Sequence, residues 1–260
     1  MLVVGGGSWV YVGDFICIFD MKIKDKLFIF AKRFLFFVMP NWTWLRVFIG
    51  FSQMRGWHTE YIKNTSFSHS AVFSNRQKLY DYINREYLNC EAISFFEFGV
   101  RHGGTMRLWL NSNDHLDSCF YGFDSFSGLP SDLEGVFGSK EGLFSTNSEM
   151  PRISDSRVSL IKGLFQDTLD PFLADYKLSD NQPSQLVIHI DSDLYSSALY
   201  VLTRCHDVIV PGTIIIFDEF NSILHEFRAL SDYVSSYGRT YRVIGVTDTF
   251  YEQVAIQMVT

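Results

Sequence analysis

The sequence predicts an α/β protein whose core is a doubly wound, mostly parallel sheet ending in an antiparallel hairpin, preceded by an aromatic and basic helical extension. Three observations carry this. Five short β-rich runs, 93–100, 119–124, 158–162, 185–191 and 212–217, alternate with segments long enough for crossover connections, as a parallel sheet requires. Two further runs, 241–246 and 252–259, are five residues apart, too few for a parallel connection, so they must pair as a hairpin. Finally, the apolar run Leu186-Val187-Ile188 leads into HIDSDLYSS, ending on Asp191 and Asp193. A buried strand gains nothing from two terminal carboxylates, because desolvating an unpaired charge is costly, so something else must use them.

The bulk numbers set the frame. A chain of 260 residues suits one sizeable domain plus an extension. Its net charge of -7 is uneven: residues 21–55 hold seven Lys and Arg against Asp25 and carry +6, residues 1–20 carry -2, and the remainder carries -11. An acidic main body argues against nucleic acid as the principal partner. Cys17, Cys90, Cys119 and Cys205 show no CxxC spacing and mostly sit in apolar runs, which reads as reduced, buried thiols in a cytoplasmic protein.

The elements follow in chain order. Residues 1–20 lack the basic start of a secretory signal, and Met21, followed by KIKDKL, is an equally good start, so 1–20 read as an artefact of start-site choice. The stretch 27–39, LFIFAKRFLFFVM, has Lys32 and Arg33 at its middle and falls short of the ~20 apolar residues of a membrane span. Two readings of 21–57 stand open. The favoured one packs it on the main domain or on a second subunit. The other lays it in a membrane interface, at the inner face of the membrane, where Trp42, Trp44 and Trp57 would be at home. The expected division is an extension over 1–64 and a core domain over 65–260. The core opens with an amphipathic helix over 75–89, with Leu79, Tyr82, Ile83 and Tyr87 on one face.

Ligands of such sheets collect beyond the carboxyl ends of the strands. After the first strand stands EFGVRHGG, in which Gly99, Gly103 and Gly104 permit a tight turn and the next helix N-terminus favours an anionic group. The spacing E-x-G-x-x-x-G from Glu97 is not the dinucleotide fingerprint, and a plain glycine turn is the alternative. The second strand ends in YGFDSFSGLP, where Asp124 could accept hydrogen bonds from both ribose hydroxyls or simply cap a turn. In GLFQDTLDPF, Asp167 with Thr168 reads as a helix N-cap, and Phe165 or Gln166 could flank a nucleobase. The fourth and fifth strands end in Asp191, Asp193, Asp218 and Glu219. Four carboxylates at one sheet edge call for a cation, and an all-oxygen, open-sided set suits magnesium better than zinc. His189, on the same strand, reads as structural more readily than catalytic.

Together FEFGVRHGG, YGFDSFSGLP, GLFQDTL, HIDSDLYSS and the FDEF end resemble the macrocin and mycinamicin O-methyltransferases, a family that includes the novobiocin-pathway sugar methyltransferase; the likeness runs over roughly 70–259. It implies a class I methyltransferase fold and a cytoplasmic, S-adenosylmethionine- and magnesium-dependent enzyme that methylates a sugar hydroxyl. By position, Glu97, Gly99 and Gly103 would border the cofactor's methionine and ribose, Asp124 with Ser125 would take the ribose, Asp191, Asp218 and Glu219 would hold the metal, and Asp193 would be the general base. Glu219 stands where the family has a second aspartate, one methylene shorter.

Other readings are a catechol-like diol methyltransferase, a membrane-associated module with a degenerate site, which the intact carboxylate set opposes, and a nicotinamide or sugar-nucleotide enzyme, which the glycine spacing and terminal hairpin oppose. Acceptor contacts are expected from the N-terminal region, from the loop after Phe220, and from the Gly/Ser-rich loop 125–150, which is long enough for a lid. The resemblance also implies a homo-oligomer.

Overall fold

The computed structural model of the chain describes residues 11–12, 15–16, 43–63, 67–68, 71–133, 139–178, 183 and 185–260. It divides into two units, Met1–Trp42 and Thr43–Thr260. In the first, β1 (Tyr11–Val12) pairs antiparallel with β2 (Phe15–Ile16). The stretch 27–39 and Trp42 lie outside the described residues.

The second unit begins with α1 (Thr43–Trp57), continued by a π-helical segment, His58–Lys63. After the short β3 (Val72–Phe73) comes α2 (Arg76–Glu86), started by Asn75, whose side chain accepts from the Lys78 amide at 3.0 Å. Every expected strand is present: β4 (Ile93–Phe98), β5 (Cys119–Asp124), β6 (Val158–Lys162), β7 (Gln185–Ile190), β8 (Ile214–Phe217), β9 (Tyr241–Thr247) and β10 (Val254–Met258). Between them run α3 (Gly104–Ser112), α4 (Phe165–Leu178), α5 (Tyr195–Arg204) and α6 (Glu226–Tyr237). The expected N-cap of α4 is corrected. The helix starts at Phe165, so Asp167 lies in its first turn, where a carboxylate suits the helix dipole without capping it.

The sheet order is β3-β9-β10-β8-β7-β4-β5-β6. Strands β4 to β8 are mutually parallel, and β10 is antiparallel to both β8 and β9. The hairpin therefore closes as its spacing demands, with its second strand inside its first. This is the doubly wound, mostly parallel sheet with a terminal antiparallel hairpin that the sequence predicts.

Strand alternation feeds two cores. Phe95, Val187, Ile214 and Ile216 face Leu79, Tyr80 and Ile83 of α2 and Trp109 of α3. Phe96, Phe98, Ile188, Ile190 and Phe217 face α4 to α6. Phenylalanines pack densely against one another in the second core: Phe98 stacks on Phe123 at 4.8 Å, and Phe172 meets Phe96 at 5.2 Å and Phe123 at 5.0 Å.

Two sequence expectations are corrected. Trp57 is buried, packed 4.8 Å from Phe220 and 5.5 Å from Tyr251, with its indole N–H donating to the Tyr241 hydroxyl at 3.1 Å, so it is a core anchor and no interface residue. Among the described cysteines, all free thiols, only Cys205 is buried, while Cys90 is exposed in a turn. No helix among the described residues is long and apolar enough to cross a membrane.

Candidate active site

Backbone pairing continues one residue past the central strands. The Gly99 amide donates to Phe123 O, the Asp191 amide to Phe98 O and the Asp218 amide to Ile190 O, each at 2.9 Å. The ends of β5, β4, β7 and β8 are thereby held level, which sets Asp124, Asp191 and Asp218 along one edge. Gly99 has φ +102, and a Cβ there would overlap the Asp191 carbonyl, so only glycine lets the turns after β4 and β7 come this close.

A cavity of about 290 Å³ opens at this edge. Of the expected cofactor residues, Gly99, Asp124, Ser125, Phe165 and Gln166 line it, and so do Asp191, Asp193, Asp218 and Glu219. Glu97 and Gly103 stand outside the lining. Glu97 is buried on β4 with Oε2 unpartnered, its carboxyl pushed well up by burial and then by Asp191; Gly103, at φ +71, starts α3.

Asp124 Oδ2 accepts from the Arg101 amide at 2.7 Å and Oδ1 from the Phe126 amide at 2.6 Å. Each oxygen keeps a second lone pair, which is what a pair of vicinal hydroxyls needs. The loop after Asp124 folds back over the cavity as two joined legs, with the Leu129 amide bonded to Leu143 O and the Gly142 amide to Leu129 O, both at 2.9 Å. Leu129, Pro130 and Phe144 thus enter the wall, and the Arg101 guanidinium lies 4.8 Å from the Phe144 ring.

The carboxylates opposite are crowded. Burial and then Asp218 raise the Asp191 carboxyl well above its usual range. Burial and then Asp218 raise Asp193 to about 6, and burial and then Asp193 raise Glu219 to about 7; the two share a side-chain hydrogen bond. Asp193 sits at φ +57, a left-handed conformation that aspartate tolerates better than most residues. His189 is fully buried, its Nε2 3.0 Å from the Tyr80 hydroxyl and 3.7 Å from Asp218 Oδ1, and burial lowers it to about 3, which favours the neutral imidazole.

Two residues that sequence reasoning missed complete the site. Arg76, at the start of α2, places Nη1 3.2 Å from Asp218 Oδ1. Glu226, fully buried at the start of α6, accepts from the Ser192 amide at 3.2 Å and the Glu219 amide at 3.0 Å, and so braces both carboxylate-bearing turns. Neither has a local signature. Arg76 reads as the polar face of a helix, and Glu226 follows a plain loop.

Crowded carboxylates, raised first by burial and then by mutual repulsion, form a hard-oxygen donor set, which fits a divalent cation. Among the described residues no three acidic, histidine or cysteine side chains are already drawn together around a metal position, and the Arg76 guanidinium supplies positive charge at Asp218.

The family profile described as macrocin O-methyltransferase matches residues 66–249. No curated protein matches the chain. Among solved structures, the O-methyltransferase NovP is similar at 22% identity, covering 71% of this chain and 80% of its own, with a TM-score of 0.52. CalS11, a calicheamicin methyltransferase, is similar at 17% identity, covering 95% of this chain and 99% of its own, with a TM-score of 0.53.

Proposed function

The chain belongs to the macrocin O-methyltransferase family, and from that premise we propose that it transfers the methyl group of S-adenosylmethionine to a hydroxyl of a sugar or sugar-bearing acceptor. The observation that carries the reading is Asp124, with a free lone pair on each oxygen, facing across one cavity the carboxylates of β7 and β8. NovP and CalS11 are both named as methyltransferases, and their similarity supports the same fold-to-site relation.

In this reading Asp124 takes the ribose hydroxyls, Ser125, Phe165 and Gln166 border the nucleoside, and Gly99 lets the backbone approach the sulfonium end. Glu97 and Gly103 act from behind this wall, Glu97 as a buried carboxyl beside the cofactor's methionine end and Gly103 by shaping the turn. The sulfonium methyl is already activated, so the protein's main task is to hold the acceptor oxygen in line with it, and such positioning is worth ~7–11 kcal/mol. The acceptor's O–C bond forms as the C–S bond breaks, the sulfur leaves as a neutral thioether, and Asp193 receives the hydroxyl proton. Asp191, Asp218 and Glu219 would hold magnesium, which when bound supplies Lewis acidity that lowers the acceptor hydroxyl's pKa. Arg76 would then have to release Asp218. The free thiols support a cytoplasmic setting, and assembly as a homo-oligomer belongs to the same proposal.

The test is calorimetric titration of S-adenosylmethionine and of its demethylated product, with magnesium and with EDTA. Wild type should bind at micromolar concentration and Asp124→Ala should lose at least ~100-fold of that affinity, as expected when paired charge-assisted hydrogen bonds go. Asp193→Asn should bind the cofactor normally yet fail to methylate sugar acceptors. Absence of binding under every condition would overturn the proposal.

A further inference from the structure

Asp218 meets its donors on one oxygen. Arg76 Nη1 lies 3.2 Å from Oδ1, the Gln253 side-chain nitrogen 3.4 Å and His189 Nε2 3.7 Å. Burial favours the neutral imidazole, so the guanidinium is the full positive charge at this oxygen. Its reach is wider than the one contact. Burial raises Asp191, Asp218 and Glu219, and the Arg76 charge opposes that rise in all three, whereas the arginine that opposes it in Asp193 is Arg101. The three carboxyls expected to hold the metal therefore share one cation, and the expected base answers to another.

Arg76 is held there by its helix. It opens α2, whose Leu79, Tyr80 and Ile83 are fully buried, so the backbone has no freedom to draw back. The side chain does: it is 36% exposed, and Thr105 Oγ1 on α3, 3.5 Å from Nη1, offers a neutral partner. A guanidinium and a hard divalent ion seek the same carboxylate oxygens. Where water is largely excluded, two such cations a few ångströms apart repel strongly. An ion binding here must displace Arg76 or sit beside it, and either way its affinity falls.

We propose that Arg76 sets the divalent-ion affinity of this site, competing with the ion for Asp218 so that the ion is weakly held and readily exchanged. The inference rests on the reading of Asp191, Asp218 and Glu219 as the metal-holding set, and adds to that set the residue that limits binding. It makes no demand on the acceptor or on methyl transfer.

The full chain, free of S-adenosylmethionine, is titrated with magnesium by calorimetry and with manganese(II) by the electron paramagnetic resonance of the free ion. Arg76→Gln should bind either ion at least ~tenfold more tightly than wild type, and Arg76→Lys, which keeps the charge, should stay within ~threefold of wild type. Arg76→Met carries the same comparison with an uncharged, unbranched side chain, should the glutamine variant fail to fold. Saturating magnesium should also raise the melting temperature of Arg76→Gln by more than that of wild type. Equal or tighter binding by wild type overturns the proposal and leaves the metal set standing. A gain in Arg101→Gln as large as in Arg76→Gln also overturns it, because the effect would then be general charge rather than competition at Asp218. Binding of neither ion by any variant overturns the metal set itself, and this inference with it.

Discussion

At the residue scale the site depends on a few contacts without substitutes. Gly99→Ala would combine strain at φ +102 with overlap on the Asp191 carbonyl, a cost of about 3 kcal/mol or more, so the variant should melt well below wild type or fail to accumulate in soluble form. Glu226→Ala would leave the buried Ser192 amide and the half-buried Glu219 amide without acceptors, costing about 3 kcal/mol in urea unfolding and disordering both carboxylate turns. A Glu226→Ala protein with wild-type stability would show that those amides find other partners. The acidic residues at the strand ends were legible in the sequence, since a carboxylate closing an apolar run is conspicuous. Arg76 was not, because its partner Asp218 lies far away in the chain, and Glu226 was not, because its partners are backbone amides, which carry no residue identity.

At the element scale, α1 is held to the core by Trp57, whose ring the sequence also allows as a membrane-interface residue, the less favoured reading; its position among Phe220, Phe227 and Tyr251 decides. Trp57→Ala should cost about 3–5 kcal/mol of unfolding free energy, measured in urea, from lost burial and cavity formation. The loop after Asp124 is another element whose role is local and testable. Phe144→Ala removes the ring beneath the Arg101 guanidinium, worth ~1 kcal/mol, and should weaken cofactor affinity several-fold while leaving the melting temperature nearly unchanged. The hairpin was predicted by a five-residue gap, yet its consequence was not: with β10 between β8 and β9, Gln253 reaches the site, its side-chain amide donating to Asp218 O at 3.1 Å.

At the scale of the whole molecule, stability should show an alkaline limit to which Cys205 contributes. Burial pushes its thiol up to about 12, whereas an unfolded thiol titrates near ~9. The folded state therefore holds a proton that the unfolded state has released, and the associated stabilisation, fully present below pH ~9, is lost as pH rises towards about 12. The gap in unfolding free energy between wild type and Cys205→Ala should narrow across that window; a constant gap would refute the assignment. In the native state at pH 8, Cys90 should react with a thiol reagent and Cys205 should not.

The sequence by itself determined which residues end each strand, which turns need glycine, and that two strands close a hairpin, because alternation, run length and loop length are local properties of a chain. It also determined the family, through motifs carried on those same strand ends. The tertiary structure alone decided the lateral order of the strands, the two-amide brace of Glu226, the Arg76–Asp218 ion pair and the burial of Trp57. Most of these join segments tens to more than a hundred residues apart, and such pairings are settled by packing the whole sheet and its two helical layers at once.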